Sequence, residues 1–196
     1  MTGLKIFLFG AIKIIYMKIF SLMKVLLCQK NVTEDRNKFM PAQAEGDFEE
    51  TGKEINNIIK ELYGGRSLHI RAVDAGSTNA EEIELTALGN AYYDIERFGL
   101  SFVASPRHAD MLFVTGPVTR NLEQALISTY EAAPKPCIVV AIGDGACNGG
   151  IWKGSYAVVG AVKNVIPVHM EILGDPPTPT EILQGVLKVL KNHKSN

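Results

Sequence analysis

The chain has 196 residues, of which 46% are hydrophobic and 21% are charged, and its formal net charge is -1. This length suits one globular domain with appended segments rather than two full domains. The charge leaves no basic surplus of the kind that nucleic-acid binding requires, so we expect no nucleic-acid partner. The three cysteines, Cys28, Cys137 and Cys147, are too widely spaced for a disulfide framework or a CxxC metal knuckle, which favours a reducing compartment.

Residues 1–28 form the most apolar part of the chain, but lysines interrupt them throughout. No charge-free run approaches the roughly 20 residues that span a bilayer. On a helical wheel Lys5, Lys13 and Lys24 share one side, which predicts an amphipathic helix that lies at a membrane interface or docks on a partner. A secretory signal and a true membrane span are the alternatives to this interpretation.

Residues 29–65 are predicted to hold a linker followed by a helix. The stretch from Gln29 to about Phe48 is polar, charged and without period, so we expect it to add little to a core. From Glu49 to Tyr63 apolar residues recur three and four apart, a helical spacing, at Ile55, Ile58, Ile59 and Leu62. Two glycines then end the predicted helix.

Residues 66–196 alternate short apolar runs with helical patterns, which predicts an α/β domain with a mainly parallel sheet. The carboxyl ends of parallel strands meet at one edge, where such domains place their sites. Glycine-bearing loops follow four of the predicted strands, and we expect them to converge there: Asp74-Ala-Gly-Ser, Thr115-Gly-Pro, Gly143-Asp-Gly-Ala and Gly174-Asp-Pro-Pro.

Four blocks of this domain carry a family resemblance: HIRAVDAGSTNAEEIE, SPRHADMLFVTGPVT, GDGACNGG and ILGDPPTPTEILQGVLKVL. Over about Ser67 to Leu190 the chain resembles the family that contains the B-type, 20 kDa subunit of NADH:quinone oxidoreductase and the small subunit of energy-converting NiFe hydrogenases. The resemblance implies a flavodoxin-like three-layer domain, preceded here by the amino-terminal helix and linker.

The family's loops read GSCNGCE, GxCA and GCPP, and their four cysteines together bind one 4Fe–4S cluster. In this chain the corresponding positions are Thr78, Glu81, Gly145 and Asp175. Cluster iron is held by thiolates, so the resemblance predicts a degenerate site that holds no 4Fe–4S cluster.

Cys147 lies two residues after one of these positions, and we interpret it as a small, partly buried residue beside a glycine turn. The alternative is a remodelled metal site made of Glu81, Cys147 and Asp175, because carboxylates and thiolates bind zinc or iron. Cys137 lies in an apolar run and is predicted to be core.

Arg107 and His108 follow Pro106 ahead of the third predicted strand. The resemblance implies that this loop lies near the large-subunit interface and the cluster, where Arg107 would anchor a partner carboxylate. Ordinary polarity at the start of a strand explains the same residues equally well. His69 and His169 are assigned no role.

These observations predict a cluster-free structural subunit, not catalytic alone, of a membrane-associated complex I-like or NiFe hydrogenase-like assembly. It would bridge a large hydrogenase-like subunit and a membrane arm with antiporter-like or other membrane subunits, peripherally at the cytoplasmic face. The alternative is a free-standing small-molecule or divalent-metal binding protein. In that case Glu81 would share one pocket with Asp74, Asp144 and Asp175.

Overall fold

Strands and helices alternate along the chain in the computed structural model, which describes residues 45–195. The helices are α1 (Glu45–Tyr63), α2 (Ala80–Leu88), α3 (Glu123–Ala132), α4 (Asp144–Asn148) and α5 (Pro179–Ser195). The strands are β1 (Leu68–Asp74), β2 (Leu100–Phe102), β3 (Met111–Thr115), β4 (Val118–Thr119), β5 (Ile138–Ile142), β6 (Val158–Gly160) and β7 (Met170–Ile172).

Five of these strands form one parallel sheet in the order β2-β1-β3-β5-β7. At its centre Phe113 of β3 lies beside Ala72 on one side and Val140 on the other. Numbered within the sheet alone, the order is 2-1-3-4-5, that of flavodoxin-like domains. The predicted fold class is therefore confirmed, and the carboxyl ends of all five strands face one edge.

Both faces of the sheet are buried, because successive side chains of a strand point to opposite sides. In β3, Met111 and Phe113 join a core that also contains residues of α1, α2 and α5. Leu112 and Val114 join a second core, which contains Leu126 of α3 and residues of α4. The result is a sheet between two helical layers.

The structure departs from the predicted elements in three places. Helix α1 begins at Glu45, four residues earlier than predicted, and Phe48 is buried, so this end of the predicted linker does contribute to the core. The helical pattern of residues 79–99 predicts one continuous helix, but α2 ends at Leu88, before Gly89. Strands β4 and β6 form a small antiparallel pair that the sequence pattern did not predict, since each has only two or three residues.

No helix within residues 45–195 has the length and apolar character needed to cross a bilayer. The amphipathic helix predicted for residues 1–28, and most of the predicted linker, lie outside the described residues.

Candidate functional site

A cavity of about 180 Å³ opens at the carboxyl edge of the sheet. It is lined by residues from all four glycine-bearing loops and from the turn after α4: Thr78, Glu81, Pro117, Asp144, Gly145, Gly150, Ile151, Trp152 and Asp175. These lining residues include all four positions at which the family that this chain resembles has a cluster cysteine. The predicted convergence of the loops is confirmed, because parallel strands deliver their following loops to the same edge.

The loop after β1 is held by its own aspartate and by the neighbouring loop. Asp74 Oδ1 accepts hydrogen bonds from the backbone N–H groups of Gly76 and Ser77, at 2.7 and 2.8 Å. Gly116 packs so closely on this loop that a Cβ there would lie 2.3 Å from Ser77 N. Asp74 is thus a structural residue of the loop and does not line the cavity.

The loops after β5 and β7 are joined directly. Asp144 N donates to Gly174 O at 2.8 Å, and Gly174 N donates to Asp144 Oδ1 at 2.9 Å. The residues that follow these two partners are Gly145 and Asp175, so the paired hydrogen bonds fix two of the four positions beside each other.

Glu81, in the first turn of α2, is the most unusual residue of the cavity. Its side chain is buried, with 4% of the residue exposed, and its Oε2 has no hydrogen-bond partner among the described residues. Its Oε1 lies against the backbone of Gly143, where a Cβ would come within 2.5 Å. A buried carboxyl oxygen without a partner carries a free-energy cost of about 1–3 kcal/mol.

The pKa of Glu81 reflects this environment. Burial raises the pKa above its usual value, and the negative charges of Glu82, Asp175 and Asp74 raise it further, while a backbone hydrogen bond acts in the opposite direction. Loss of hydration disfavours the ionised carboxylate, and nearby carboxylates disfavour it again.

The next residue along α2, Glu82, has a different environment. One of its oxygens accepts a hydrogen bond from Ser77 Oγ at 2.5 Å, and the other accepts one from Thr115 Oγ1. Glu82 therefore ties the loop after β1 to the end of β3, and its carboxylate is fully engaged.

The cavity combines acidic groups with an apolar wall. Glu81, Asp144 and Asp175 contribute carboxyl groups, and none of the described residues that line the cavity is basic. Ile151 and Trp152 form the apolar side, with 85% and 47% of each residue exposed. Trp152 was not singled out from the sequence, although it closely follows the glycine pair of GDGACNGG.

The residues at the four positions do not fit a 4Fe–4S cluster. No thiol is found among the described residues that line the cavity, and Gly145 offers no side-chain donor at all. A Cβ added at Gly145 would lie 2.8 Å from Pro117 Cδ and 3.0 Å from Pro117 N. Both the donor chemistry and the space at this corner are therefore unsuited to thiolate ligation.

Cys147 does not reach the cavity, contrary to the remodelled metal site considered above. Its Sγ lies in the core within 3.6 Å of Ala141 O and 3.5 Å of Ile172 O, and burial raises the pKa of the thiol to about 12. Glu81 and Asp175 do line the cavity, but without Cys147. Among residues 45–195, no group of three or more His, Cys, Asp or Glu side chains is arranged to hold a metal ion. Cys137 is buried, as predicted.

Arg107 and His108 lie in a single 3-10 turn that precedes β3. Both are exposed, and His108 O lies 3.2 Å from Nδ1 of His69, near the beginning of β1. This turn is therefore at the amino edge of the sheet, opposite the cavity. The expectation that these residues lie near the four cluster positions is wrong, because the turn directly precedes β3 and parallel strands begin at the edge opposite their carboxyl ends. Their contact with a partner stays a prediction.

Comparison with known proteins is consistent with this geometry. Residues 79–189 match the family described as NADH ubiquinone oxidoreductase, 20 kDa subunit. An uncharacterized protein of Methanocaldococcus jannaschii is 46% identical over 67% of this chain and 88% of its own length. The probable membrane-bound hydrogenase subunit mbhJ of Pyrococcus furiosus is 42% identical over 71% of this chain and 82% of its own length.

A solved structure extends the likeness to three dimensions. One chain of the membrane-bound sulfane sulfur reductase, an archaeal respiratory membrane complex, aligns with a TM-score of 0.59 and 34% identity. The alignment covers 72% of this chain and 77% of that chain.

Proposed function

Since this chain belongs to the NADH ubiquinone oxidoreductase 20 kDa subunit family, we propose that it is a cluster-free structural subunit of a membrane-associated complex I-like or hydrogenase-like assembly. It bridges a large hydrogenase-like subunit and a membrane arm, and it is not catalytic alone. The observation that carries this proposal is one cavity that keeps all four cluster positions together while none of them holds a cysteine.

The chemistry of the lining residues supports the loss of electron transfer. Protein side chains of the kinds present here do not carry single electrons at ordinary potentials, and redox steps of this class depend on a cofactor. Without thiolates at Thr78, Glu81, Gly145 and Asp175, the site lacks the ligands that hold such a cofactor. The domain retains its flavodoxin-like fold.

The surface beside the cavity supports docking of a protein. Four large apolar side chains lie exposed in the segment after α4 and directly after β7, and we call them the apolar collar: Ile151, Trp152, Tyr156 and Leu173. Ile151 and Trp152 line the cavity itself. Tyr156 is 91% exposed and Leu173 is 62% exposed. Exposed apolar surface beside a cavity is typical of interaction sites, so we assign the collar to the large-subunit interface.

A peripheral position at the cytoplasmic face is part of the proposal. Relatives with membrane-bound assemblies in their names support an association with a membrane complex. The lysine pattern of residues 1–28 supports contact through an amphipathic helix.

Purification from detergent-solubilised membranes tests the bridging role. The tagged full chain is expected to bring down a large hydrogenase-like subunit and membrane subunits in fixed stoichiometry. Recovery of the chain as a monomer, with no such partner, would remove the bridging role and favour the free-standing alternative.

A separate measurement tests the absence of a cluster. The isolated full chain is incubated anaerobically with iron, sulfide and thiol, desalted, and assayed for bound iron and acid-labile sulfide. We expect neither to remain in stoichiometric amount. Four irons and four sulfides per chain would show that a cluster binds without the four cysteines.

A further inference from the structure

The buried carboxyl group of Glu81 has an oxygen for which the described part of the chain supplies no hydrogen-bond donor. It is more than nine-tenths buried, it lines the cavity, and its Oε2 has no hydrogen-bond partner among residues 45–195. Native structures rarely leave a buried polar atom unsatisfied. A group that enters the cavity from outside would supply the missing partner.

The charges around the cavity specify the sign of that group. Asp144 and Asp175 join Glu81 in the lining, and the described lining residues include no basic side chain to balance them. A cation is therefore favoured over an anion, which these carboxyl groups would repel.

The walls and the size of the cavity specify the kind of cation. Ile151 and Trp152 add apolar side chains to the lining beside the carboxyl groups, and about 180 Å³ is more space than a bare metal ion fills. Metal ions also need several donors that converge at about 2.0–2.6 Å. Asp144 Oδ1 already accepts from Gly174 N, and the described residues offer no group of three suitable ligands.

A guanidinium group meets all of these requirements. It is planar and weakly hydrated, it stacks on aromatic faces such as that of Trp152, and it donates two parallel hydrogen bonds to one carboxylate. Two members of the apolar collar, Ile151 and Trp152, line the cavity with exposed side chains, which suits delivery of the guanidinium by a protein.

We propose that the cavity is a binding site for the guanidinium group of an arginine side chain, which the large subunit inserts between Glu81, Asp175 and Trp152. This inference rests on the proposed bridging function for the identity of the partner. The arginine side chain fills the cavity at the former cluster positions. Its guanidinium donates the hydrogen bonds that the buried carboxyl group of Glu81 lacks, so that Glu81 becomes an interface residue.

The isolated full chain allows a direct test, because Trp152 is the single tryptophan of the sequence and lines the cavity. Its fluorescence is followed during titration with N-acetyl-arginine amide at constant ionic strength. The neutral isostere N-acetyl-citrulline amide is the matched control ligand. We expect a saturable change with the arginine compound and none with the citrulline compound.

Two variants locate the interaction. Glu81→Gln keeps the shape of the side chain but removes its charge, and we expect it to weaken arginine binding at least about tenfold. Glu131→Gln makes the same change of charge at an exposed residue of α3 and is expected to bind like the wild type. Circular dichroism verifies that both variants are folded.

Three outcomes of the titration would overturn the proposal. One is an absent or non-saturable response to the arginine compound, and another is an equal response to the citrulline compound. The third is a saturable response to Mg²⁺ or Zn²⁺ at lower concentration than to arginine, which would identify the cavity as a metal site instead.

Membrane purification separates this inference from the proposed function. With a double variant, Glu81→Gln and Asp175→Asn, we expect the yield of the large subunit to fall at least about tenfold relative to Glu131→Gln. Equal yields would reject the arginine contact while the bridging role stands. If the wild type brings down no large subunit, the bridging role fails, and the titration still decides which cation the cavity binds.

Discussion

Asp144 and Gly174 are joined by two hydrogen bonds, one from Asp144 N to Gly174 O and one from Gly174 N to Asp144 Oδ1. They connect the loop after β5 to the loop after β7, two strands that already pair in the sheet. The cavity edge is thereby continuous across these strands, with Gly145 and Asp175 next to the paired residues.

Removal of the Asp144 carboxylate is expected to loosen this edge. Asp144→Ala leaves Gly174 N without its acceptor, and we expect the free energy of unfolding to fall by about 1 kcal/mol. Urea denaturation measures the loss, and the emission of Trp152 reports any opening of the cavity. Asp144→Asn retains an oxygen at the same position and serves as the control. Equal stability of the alanine variant and the wild type would show that the bond contributes nothing.

Gly143 is expected to tolerate no side chain. Its φ is +89°, and a Cβ would lie 2.5 Å from Glu81 Oε1. We expect Gly143→Ala to lower the free energy of unfolding by about 2 kcal/mol or more, from backbone strain and overlap together.

A second substitution separates these two causes. Adding Glu81→Ala to Gly143→Ala removes the overlap and should recover part of the loss, while the strain of the positive φ remains. If the double variant is no more stable than the sum of the single variants predicts, the two residues are not in contact.

The raised pKa of Glu81 predicts how stability depends on pH. At pH values below the ordinary carboxyl pKa of 4.5, Glu81 is neutral in both the folded and the unfolded chain. As the pH rises above this value, Glu81 loses its proton in the unfolded chain before it does so in the folded chain. The free energy of unfolding therefore falls as the pH rises, and it stops falling once the pH exceeds the pKa of Glu81 in the folded chain. Glu82, Asp74 and Asp175 are the charged neighbours that add to this effect.

Glu81→Gln should therefore be compared with the wild type by urea denaturation between pH 4 and pH 8. We expect the variant to gain stability relative to the wild type as the pH rises, with the smallest difference at the acid end. Glu131→Gln controls for the change in net charge. A difference that is constant with pH would contradict the raised pKa.

The geometry at Gly145 predicts that restoring the cysteines is not sufficient to restore a cluster. The Cβ of a cysteine there would overlap with Pro117, so we expect Gly145→Cys alone to lower the free energy of unfolding by about 1–3 kcal/mol. A variant that also carries Thr78→Cys, Glu81→Cys and Asp175→Cys should bind less than one cluster per chain.

Iron and sulfide assays after anaerobic reconstitution, together with urea denaturation, measure both effects. The triple variant without Gly145→Cys is the control, since it lacks the overlap. Full cluster occupancy at wild-type stability in the quadruple variant would show that the loop around Pro117 shifts to accommodate the new Cβ without a loss of stability.

The convergence of the four loops was predictable from the sequence, since alternating strands and helices imply a parallel sheet with all carboxyl ends at one edge. The same rule places Arg107 at the opposite, amino edge, because it directly precedes a strand. Burial of Cys147 was expected from its position beside a glycine turn, but only the structure shows that its thiol points away from the cavity into the core.

Glu81 and Glu82 are adjacent in the sequence, but the surroundings of their side chains could not be predicted from it. The sequence alone determined which donor atoms stand at the four positions, because the chemistry of a side chain does not depend on the fold. Only the tertiary structure decided that Glu82 meets two hydroxyl groups while Glu81 is buried without a partner for Oε2 in the described part of the chain. Neighbouring residues on a helix point about 100° apart, so two identical side chains reach different surroundings.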